Sequence, residues 1–362
     1  MIKMNYGDGE HRKMLEQSFV ALLDNETDRQ KEWVRLRKKL YGIDPTFKTL
    51  LPTQMKKIMI LSFDKLANIY ERYTALGYKK GVELHDDLKV LFSYEAKETN
   101  SKGHKYNAMR SAFVTFFTDK KNGFNLHTCY YCDMSYINYF AYNGGKRTQF
   151  DLDHVLDKGR CPIVALSLYN FVPSCPTCNG PHIKGQRQLV ANLAQRIKLS
   201  PTSEQYGFEN RAHFWVRPVS GIVKNVGFLK HQNDYMLDID TSMDSDYEKE
   251  IDLFFLRDRY NFHKCEALRL VDLKRQYTPA KIKEMARIIC NIGKKQTKTT
   301  NLVANAVIQQ IRADIFENDF MNKQHRAFGK LHNDILNGQY HPIQIITLAP
   351  RLRAIYLAHL LW

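Results

Sequence analysis

Two pairs of cysteines are the residues whose types and spacing indicate chemistry most directly. Cys129 and Cys132 enclose two tyrosines, and Cys175 and Cys178 enclose a Pro-Thr dipeptide. Two intervening residues is the spacing of a zinc knuckle, and two knuckles supply the four sulfur ligands of a closed tetrahedral site. One pair alone could be a redox centre or a coincidence. Two pairs in one segment predict a structural zinc ion held by all four thiolates.

A second set of polar residues lies between and beside the cysteine pairs. Residues 150–155 read FDLDHV, residues 169–174 read YNFVPS, and residues 178–185 read CNGPHIKG. A histidine is suited to proton transfer near neutral pH because its unperturbed pKa is roughly 6.5. Carboxylate and amide oxygens are the ligands that a hard divalent cation such as Mg²⁺ prefers. These residue types therefore offer a proton acceptor beside a cation site.

The order and spacing of these residues resemble the HNH (ββα-metal) endonuclease family. In that family a strand ends in Asp-His, an Asn precedes a C-x-x-C pair, and a further residue follows the last cysteine. The resemblance covers residues 127–185 of the 362. Asn179 stands where the family name expects its last histidine, so the chain is similar to the H-N-N variants of the family. The loop 156–160, LDKGR, lacks the common Pro-x-Ser.

The resemblance implies a role for each matching residue. His154 would be the general base that activates water for hydrolysis of a DNA phosphodiester. Asp153, on the opposite side of the strand, and Asn179, at the start of the following helix, would bind a catalytic Mg²⁺ or another divalent cation. Asn170 would brace the loop that orients His154.

Several of these residues also have ordinary structural explanations. An Asp-His pair is commonly a surface pair, and an asparagine before a cysteine is commonly a turn or cap residue. We expect His182 to lie on the same helical face as Asn179. The sequence favours a catalytic role for His182 and a purely structural position equally. Lys184 and Arg187 are interpreted as phosphate contacts or solvated charges.

Three further features of the sequence each have a favoured interpretation. Aromatic residues crowd the first knuckle and the segment after it, where core packing is favoured over stacking on nucleic-acid bases. These residues are Tyr130, Tyr131, Tyr136, Tyr139, Phe140 and Tyr142. The basic stretch 281–298 is interpreted as a phosphate-contact surface. The apolar run 343–362 is interpreted as a helix that closes the core.

The elements that must position these residues are mostly helices. Apolar residues recur at three- and four-residue spacing in segments 12–23, 58–76, 84–94 and 108–117. Residues 213–230 are rich in β-branched and aromatic residues, which predicts a small hairpin or sheet. The acidic segment 238–252 is interpreted as a solvated connector, and helices are expected again over 251–337.

Composition and charge limit the class of protein. The chain has 54 Lys and Arg against 38 Asp and Glu, a net charge of +16 that favours a polyanionic partner such as nucleic acid. The sequence has no apolar run long enough to span a membrane and no signal-peptide pattern at its start, which predicts a cytoplasmic location. Seven cysteines, an odd number, argue against a disulfide framework.

Together these features predict an α+β, mostly helical fold with a central ββα-metal and zinc-knuckle nuclease unit. We predict a helical N-terminal region (1–120), the nuclease unit (121–200), a small β region with an acidic connector (201–250) and a helical C-terminal region (251–362). The predicted function is metal-dependent DNA cleavage. The alternative is a zinc-dependent nucleic-acid-binding adaptor without catalytic activity. A further interpretation is a nuclease subunit that is inactive until a partner delivers DNA. It is similar to antiphage nucleases such as the HNH subunit of the Septu system, which pairs with an ATPase, and the large helical flanks fit it. The flanks could instead lengthen the DNA-binding surface.

Overall fold

The computed structural model describes residues 1–95, 103, 106, 108–124, 126–143, 145–185, 187, 192–221, 227–290, 298–316 and 326–337. Within these ranges the protein is α+β and mostly helical, with three two-stranded antiparallel sheets. The chain forms two compact units. The first comprises residues 1–209 and 246–254, and the second comprises residues 210–245 together with the chain from residue 255.

Seven α-helices precede the cysteine pairs in the described part of the chain, and all of them belong to the first unit. They are α1 (Gly9–Val20), α2 (Glu26–Ile43), α3 (Phe47–Leu50), α4 (Met55–Ile58), α5 (Phe63–Thr74), α6 (Glu83–Leu91) and α7 (Arg110–Thr118). Helix α5 shows why these segments fold, because its buried residues recur at helical spacing and include Phe63, Leu66, Tyr70 and Tyr73. Helices α1, α5, α6 and α7 coincide with the four segments predicted from apolar spacing.

Two short hairpins follow in the same unit. Strands β1 (Tyr139–Tyr142) and β2 (Gly145–Thr148) pair with each other, and so do β3 (Asp151–His154) and β4 (Phe171–Ser174). The short helix α8 (Pro176–Asn179) comes directly after β4, and α9 (Leu193–Lys198) and α11 (Glu248–Leu253) complete this unit. Helix α10 (Phe208–Arg211) lies at the sequence boundary between the two units.

An aromatic core fixes the β3–β4 hairpin against the helices. Phe171 of β4 packs its ring against Phe113 of α7 at a centroid distance of 5.4 Å, and Phe113 stacks on Phe19 of α1 at 5.3 Å. Phe171 is also the residue directly opposite His154 in the antiparallel register. The position of His154 is therefore set by the hydrophobic core of the first unit.

The second unit consists of one hairpin and five helices among the described residues. Its elements are β5 (His213–Pro218), β6 (Tyr235–Asp240), α12 (Leu256–Phe262), α13 (Lys264–Gln276), α14 (Pro279–Ile289), α15 (Lys298–Ile315) and α16 (Gly329–Asn337). Helix α16 is fixed to β5 by Asp334, whose carboxylate accepts a hydrogen bond from the Phe214 backbone N–H at 2.9 Å. The buried Lys330 ammonium pairs with the same carboxylate at 2.9 Å.

The structure corrects two predictions for the segment 213–252. Strand β5 pairs with β6 rather than with another segment of 213–230, and residues 238–252 form the end of β6 and helix α11 rather than a connector. The acidic residues of β6 made the segment resemble a solvated connector. In the structure every second residue of β6 is buried, and Asp238 pairs with Arg217 and Arg257. Residues 291–297 of the predicted basic surface and the whole run 343–362 lie outside the described residues.

No helix in the described part of the chain combines the length and the apolar character needed to cross a lipid bilayer.

Candidate active site

The four cysteines of the two pairs converge on one point. The Sγ atoms of Cys129, Cys132, Cys175 and Cys178 all lie within 4.8 Å of one another, and all four residues are buried. Four sulfurs at about 2.3 Å from a tetrahedral zinc ion would be about 3.8 Å apart. The cluster therefore has the size and the donor type to hold a metal ion such as zinc.

Local backbone structure brings each pair into position. The first knuckle closes as a turn in which the Asp133 N–H donates to the Cys129 carbonyl at 2.8 Å, with Asp133 in the left-handed region at a φ of 53°. In the second knuckle Cys175 caps α8, and its Sγ accepts a hydrogen bond from the Cys178 N–H at 3.4 Å. The Tyr130 N–H donates to the Pro173 carbonyl of β4 at 3.3 Å, which joins the two knuckles.

The thiols of this cluster differ in acidity. Burial, together with hydrogen bonds to the other thiols, raises the pKa of Cys129 well above its ordinary value. A hydrogen bond from Cys129 lowers the pKa of Cys132 to about 6. Four thiolates buried side by side would repel one another. A divalent ion would allow all four to ionise.

A cavity of about 340 Å³ lies beside the cluster, and it has a different chemistry. Strand β3 supplies Asp151, Asp153 and His154, α8 supplies Asn179, and the turn after α8 supplies Lys184. The other described lining residues with charged side chains are Glu95, Arg110, Asp157 and Lys158. Carboxylates, an amide, cations and one imidazole thus meet in a single open cavity.

The histidine of this cavity has a defined tautomer. The Nε2 atom of His154 lies 2.9 Å from the Ala165 carbonyl oxygen. A carbonyl can only accept, so Nε2 carries the proton and Nδ1 is the basic nitrogen. Nδ1 has no hydrogen-bond partner among the residues that the structure describes. Burial, assisted by the charge of Lys158, lowers the pKa of His154 to about 3, so the ring is neutral at pH 7.

Aromatic rings hold this imidazole in place. Tyr94 stacks on His154 with a centroid distance of 5.8 Å and an interplanar angle of 18°, and Phe171 contacts it at 4.7 Å. The Lys158 ammonium donates to the Tyr94 hydroxyl at 2.6 Å and lies 4.3 Å from the Tyr94 ring. The ring is therefore fixed on two sides while it still lines the cavity.

Asp153 lies beside His154, but its carboxylate is already paired. Its Oδ2 accepts a hydrogen bond from the Tyr131 hydroxyl at 2.7 Å, and the Lys184 ammonium contacts its two oxygens at 2.9 and 2.8 Å. Lys184 also donates to the His154 carbonyl at 3.1 Å. Because both side chains of this ion pair are buried, the ammonium occupies the position at which a cation would neutralise Asp153.

Asn179 meets a carboxylate that the sequence analysis did not identify. Its Nδ2 donates to Oδ2 of Asp151 at 3.2 Å, and Asp151 lies on the same face of β3 as Asp153 because side chains alternate along a strand. The Asp-x-Asp spacing is the signal that could have revealed this residue. Asn179 ends α8 rather than beginning a helix, because Gly180 and Pro181 follow it.

Asn170 and His182 lie outside the cavity lining. The buried Asn170 amide donates to the Leu156 and Val164 carbonyls at 3.0 Å and accepts from the Leu156 N–H at 2.7 Å. These bonds fix the loop that carries the Ala165 carbonyl. His182 is exposed and stands in a turn, so the prediction that it shares a helical face with Asn179 is wrong.

Two further residues of the site have contacts that differ from their interpretation in the sequence analysis. Lys184, interpreted there as a phosphate contact or a solvated charge, is buried against Asp153. Tyr131 was assigned to core packing; it is fully buried, and its hydroxyl also contacts Asp153. Neither contact has a sequence signature, because both join residues that are more than twenty positions apart.

The formal charge of the cavity is slightly negative. Among the described lining residues four carboxylates face three cationic side chains, which leaves one negative charge. A phosphodiester would be repelled by this negative charge, and one divalent cation would make the net charge positive.

Comparisons with protein-family models, with curated proteins and with solved structures found no match to this chain.

Proposed function

We propose that this protein is a metal-dependent endonuclease of the HNH type that hydrolyses phosphodiester bonds of DNA. The observation that carries the proposal is His154, whose tautomer is fixed by Ala165 and whose Nδ1 has no partner among the described residues. This nitrogen belongs to a cavity lined by two carboxylates of β3 and the Asn179 amide. Together these groups supply a general base beside oxygen ligands for a divalent cation. The hairpin β3–β4 followed by α8 supports a ββα arrangement around that base.

The proton-transfer step follows from the state of His154. Neutral His154 accepts a proton from the attacking water at Nδ1, while Nε2–H continues to donate to the Ala165 carbonyl and stabilises the imidazolium that forms. A pKa of about 3 makes the ring a weak base in the free protein. The negative charge of a bound phosphodiester opposes the charge of the catalytic cation, which would otherwise lower this pKa further.

Asp151, Asp153 and Asn179 are the residues that would hold the catalytic cation, because they bring hard oxygen donors to one side of the cavity. When bound, the cation would neutralise the charge that develops on the phosphate and on the leaving oxygen. Lys184 would have to give up its contacts with Asp153 or share them. Arg110, exposed at the start of α7, and Lys158 are placed to contact the phosphate.

One observation favours a second candidate, a zinc-stabilised nucleic-acid-binding adaptor without catalytic activity. Lys184 already neutralises Asp153, so the carboxylate needs no metal ion to be stable in its buried position. An adaptor would still use the net charge of +16 to bind DNA. The two candidates differ in whether a divalent cation displaces the ammonium and whether DNA is cut.

Nicking of supercoiled plasmid separates the two candidates. Wild type is expected to nick in Mg²⁺ and to stop when EDTA is added, and His154→Ala should be slower by roughly two to four orders of magnitude. His182→Ala is the matched control, because that histidine is nearby in sequence, exposed and outside the cavity lining. Equal nicking by wild type and His154→Ala would refute the proposed base. Retarded DNA on a gel without cleavage in any divalent cation would leave the adaptor.

We also propose that the protein works with a partner ATPase in antiphage defence. All described residues that line the cavity belong to the first unit, so the second unit is available for another task. The test is expression from the native operon with a pull-down, followed by the nicking assay on the free and the associated protein. Weak nicking by the free chain and a stoichiometric large subunit support this proposal, and robust nicking with no associated subunit contradicts it.

A further inference from the structure

The β1–β2 hairpin presents an aromatic face that the core does not use. Phe140 and Tyr142 are two residues apart on β1, and Arg147 is directly opposite Phe140 on β2. Because side chains alternate along each strand, these three residues share one face of the hairpin. Phe140 and Tyr142 are each 46% exposed, and Arg147 is exposed as well.

The opposite face of this hairpin contacts α7 and the cavity. The Lys146 ammonium lies 4.9 Å from the Tyr139 ring and donates to the Thr118 hydroxyl of α7 at 3.1 Å. Thr148 lines the cavity that contains His154. These contacts attach the hairpin to the first unit, and the face with Phe140, Tyr142 and Arg147 is exposed to solvent.

The aromatic residues around the first knuckle therefore fall into two groups. Tyr130 and Tyr131 are buried, as core packing predicts. Phe140 and Tyr142 are not, and the Arg147 guanidinium lies 3.9 Å from the centre of the Tyr142 ring. Leaving two large rings half exposed forgoes the stabilisation that their burial would give, which is typical of a surface that binds something.

We infer that Phe140, Tyr142 and Arg147 form a stacking surface for unpaired bases of a DNA strand that enters the cavity. The inference rests on the proposed nuclease function and names its substrate as DNA with a single-stranded segment. Aromatic faces accept any base, and a guanidinium adds attraction for phosphates and for base rings.

Chain connectivity links this surface to the site of cleavage. Arg147 is followed by Thr148, which lines the cavity, and Asp151 begins β3 three residues later. Four residues span at most about 14 Å, so a strand held on the hairpin has its neighbouring nucleotides within reach of the cavity. Strand β2 pairs only with β1 among the described strands.

Charge favours nucleic acid over a protein as the occupant of this surface. The hairpin segment 139–148 contains Lys146 and Arg147 and no acidic residue. The whole chain carries a net charge of +16. Both attract the phosphates of a DNA strand, whereas an apolar protein partner would gain nothing from them.

The experiment measures DNA binding in magnesium-free buffer, so that no cleavage is involved. Fluorescence anisotropy would compare a short single strand with a duplex of the same length, using wild type and the double variant Phe140→Ala/Tyr142→Ala. Each lost ring should weaken single-strand binding by roughly 5- to 150-fold, with little change for the duplex. Phe262→Ala is the control for loss of an exposed ring, since Phe262 is 84% exposed in the second unit.

A conservative variant and a spectroscopic signal keep the inference testable if the alanine variant misfolds. Phe140→Tyr/Tyr142→Phe retains both rings and should bind the single strand like wild type. 2-Aminopurine in the strand should lose fluorescence on binding to wild type, because stacking quenches it. An unchanged affinity of a folded alanine variant, an equal loss for single strand and duplex, or unquenched 2-aminopurine would each overturn the inference.

This outcome is separable from that of the nicking assay. Single-strand binding that depends on the two rings, in a protein that never nicks plasmid, would leave the stacking surface and remove the nuclease. Nicking that depends on His154, with single-strand binding indifferent to the rings, would leave the nuclease and remove the stacking surface.

Discussion

The cysteine cluster and the His154 cavity are built from the same short stretches of chain, yet they have opposite character. The cluster is closed, buried and made of four soft sulfur donors. The cavity is open and has oxygen donors, cations and one imidazole nitrogen without a partner in the described structure. A closed site stabilises the fold, whereas an open site with an unsatisfied group is prepared for chemistry.

The two regions are also joined residue by residue. Tyr131, inside the first knuckle, donates to Asp153, and Asn179, directly after Cys178, donates to Asp151. Each knuckle therefore holds one carboxylate of β3. The cluster therefore acts on the cavity by positioning its carboxylates. Damage to the cluster should disrupt both regions, while damage to the cavity should spare the cluster.

The largest effect is expected when the cluster is broken. Cys178→Ser should lose zinc and unfold the first unit, because structural zinc contributes about 10–16 kcal/mol and a domain is stable by only about 5–15 kcal/mol. Zinc per chain and circular dichroism are the measurements. Cys265→Ser is the matched control, since Cys265 is exposed. If Cys178→Ser keeps the helicity and the melting temperature of wild type, the cluster is not required for folding.

The next effect separates stability from chemistry inside the cavity. Lys184→Met leaves the buried Asp153 carboxylate unpaired and should cost about 3–5 kcal/mol of stability in magnesium-free buffer. If a cation binds at Asp153, Mg²⁺ should raise the melting temperature of this variant more than that of wild type. Lys39→Met is the control, because its side chain is 42% exposed, it does not line the cavity, and its ion pair with Glu83 is worth at most about 1 kcal/mol.

Two results would contradict this account of Lys184. One is a Lys184→Met variant that is as stable as wild type without magnesium. The other is an equal gain in melting temperature from Mg²⁺ in both proteins, which would mean that no cation binds at Asp153.

A smaller effect tests the link between the two regions. Tyr131→Phe removes the hydroxyl that donates to Asp153 and should slow plasmid nicking about 10- to 100-fold while the bound zinc is retained. Tyr130→Phe, in the same knuckle and also buried, is the control because the Tyr130 hydroxyl does not contact Asp153. Equal nicking by the two variants would show that the knuckle does not position Asp153.

The smallest effect concerns pH. Burial lowers the pKa of His154 to about 3, so the active neutral ring persists as the pH falls below 6.5. The kcat/KM for nicking should therefore stay level between pH 7 and about 5.5, where an unperturbed histidine would already cost about tenfold. A fall in kcat/KM with a midpoint near pH 6.5 would mean that His154 is more hydrated than the structure has it.

Several elements could be predicted from the sequence. The spacing of the cysteines predicted one four-thiol cluster, and helical spacing of apolar residues predicted α1, α5, α6 and α7. These predictions succeeded because they depend on local patterns. Strand β6 was not predicted, because acidic residues on its less buried face obscured the alternation of the buried Tyr235, Leu237 and Ile239.

The catalytic roles of His154, Asp153 and Asn179 come from the order of residues in the sequence, and they stay predictions. What only the tertiary structure decided is how these groups are paired. The Ala165 carbonyl selects the tautomer of His154, Lys184 neutralises Asp153, and burial separates Tyr131 from the exposed Phe140. Each of these results depends on atoms brought together from distant positions, and on the loss of water around them, which no local pattern encodes.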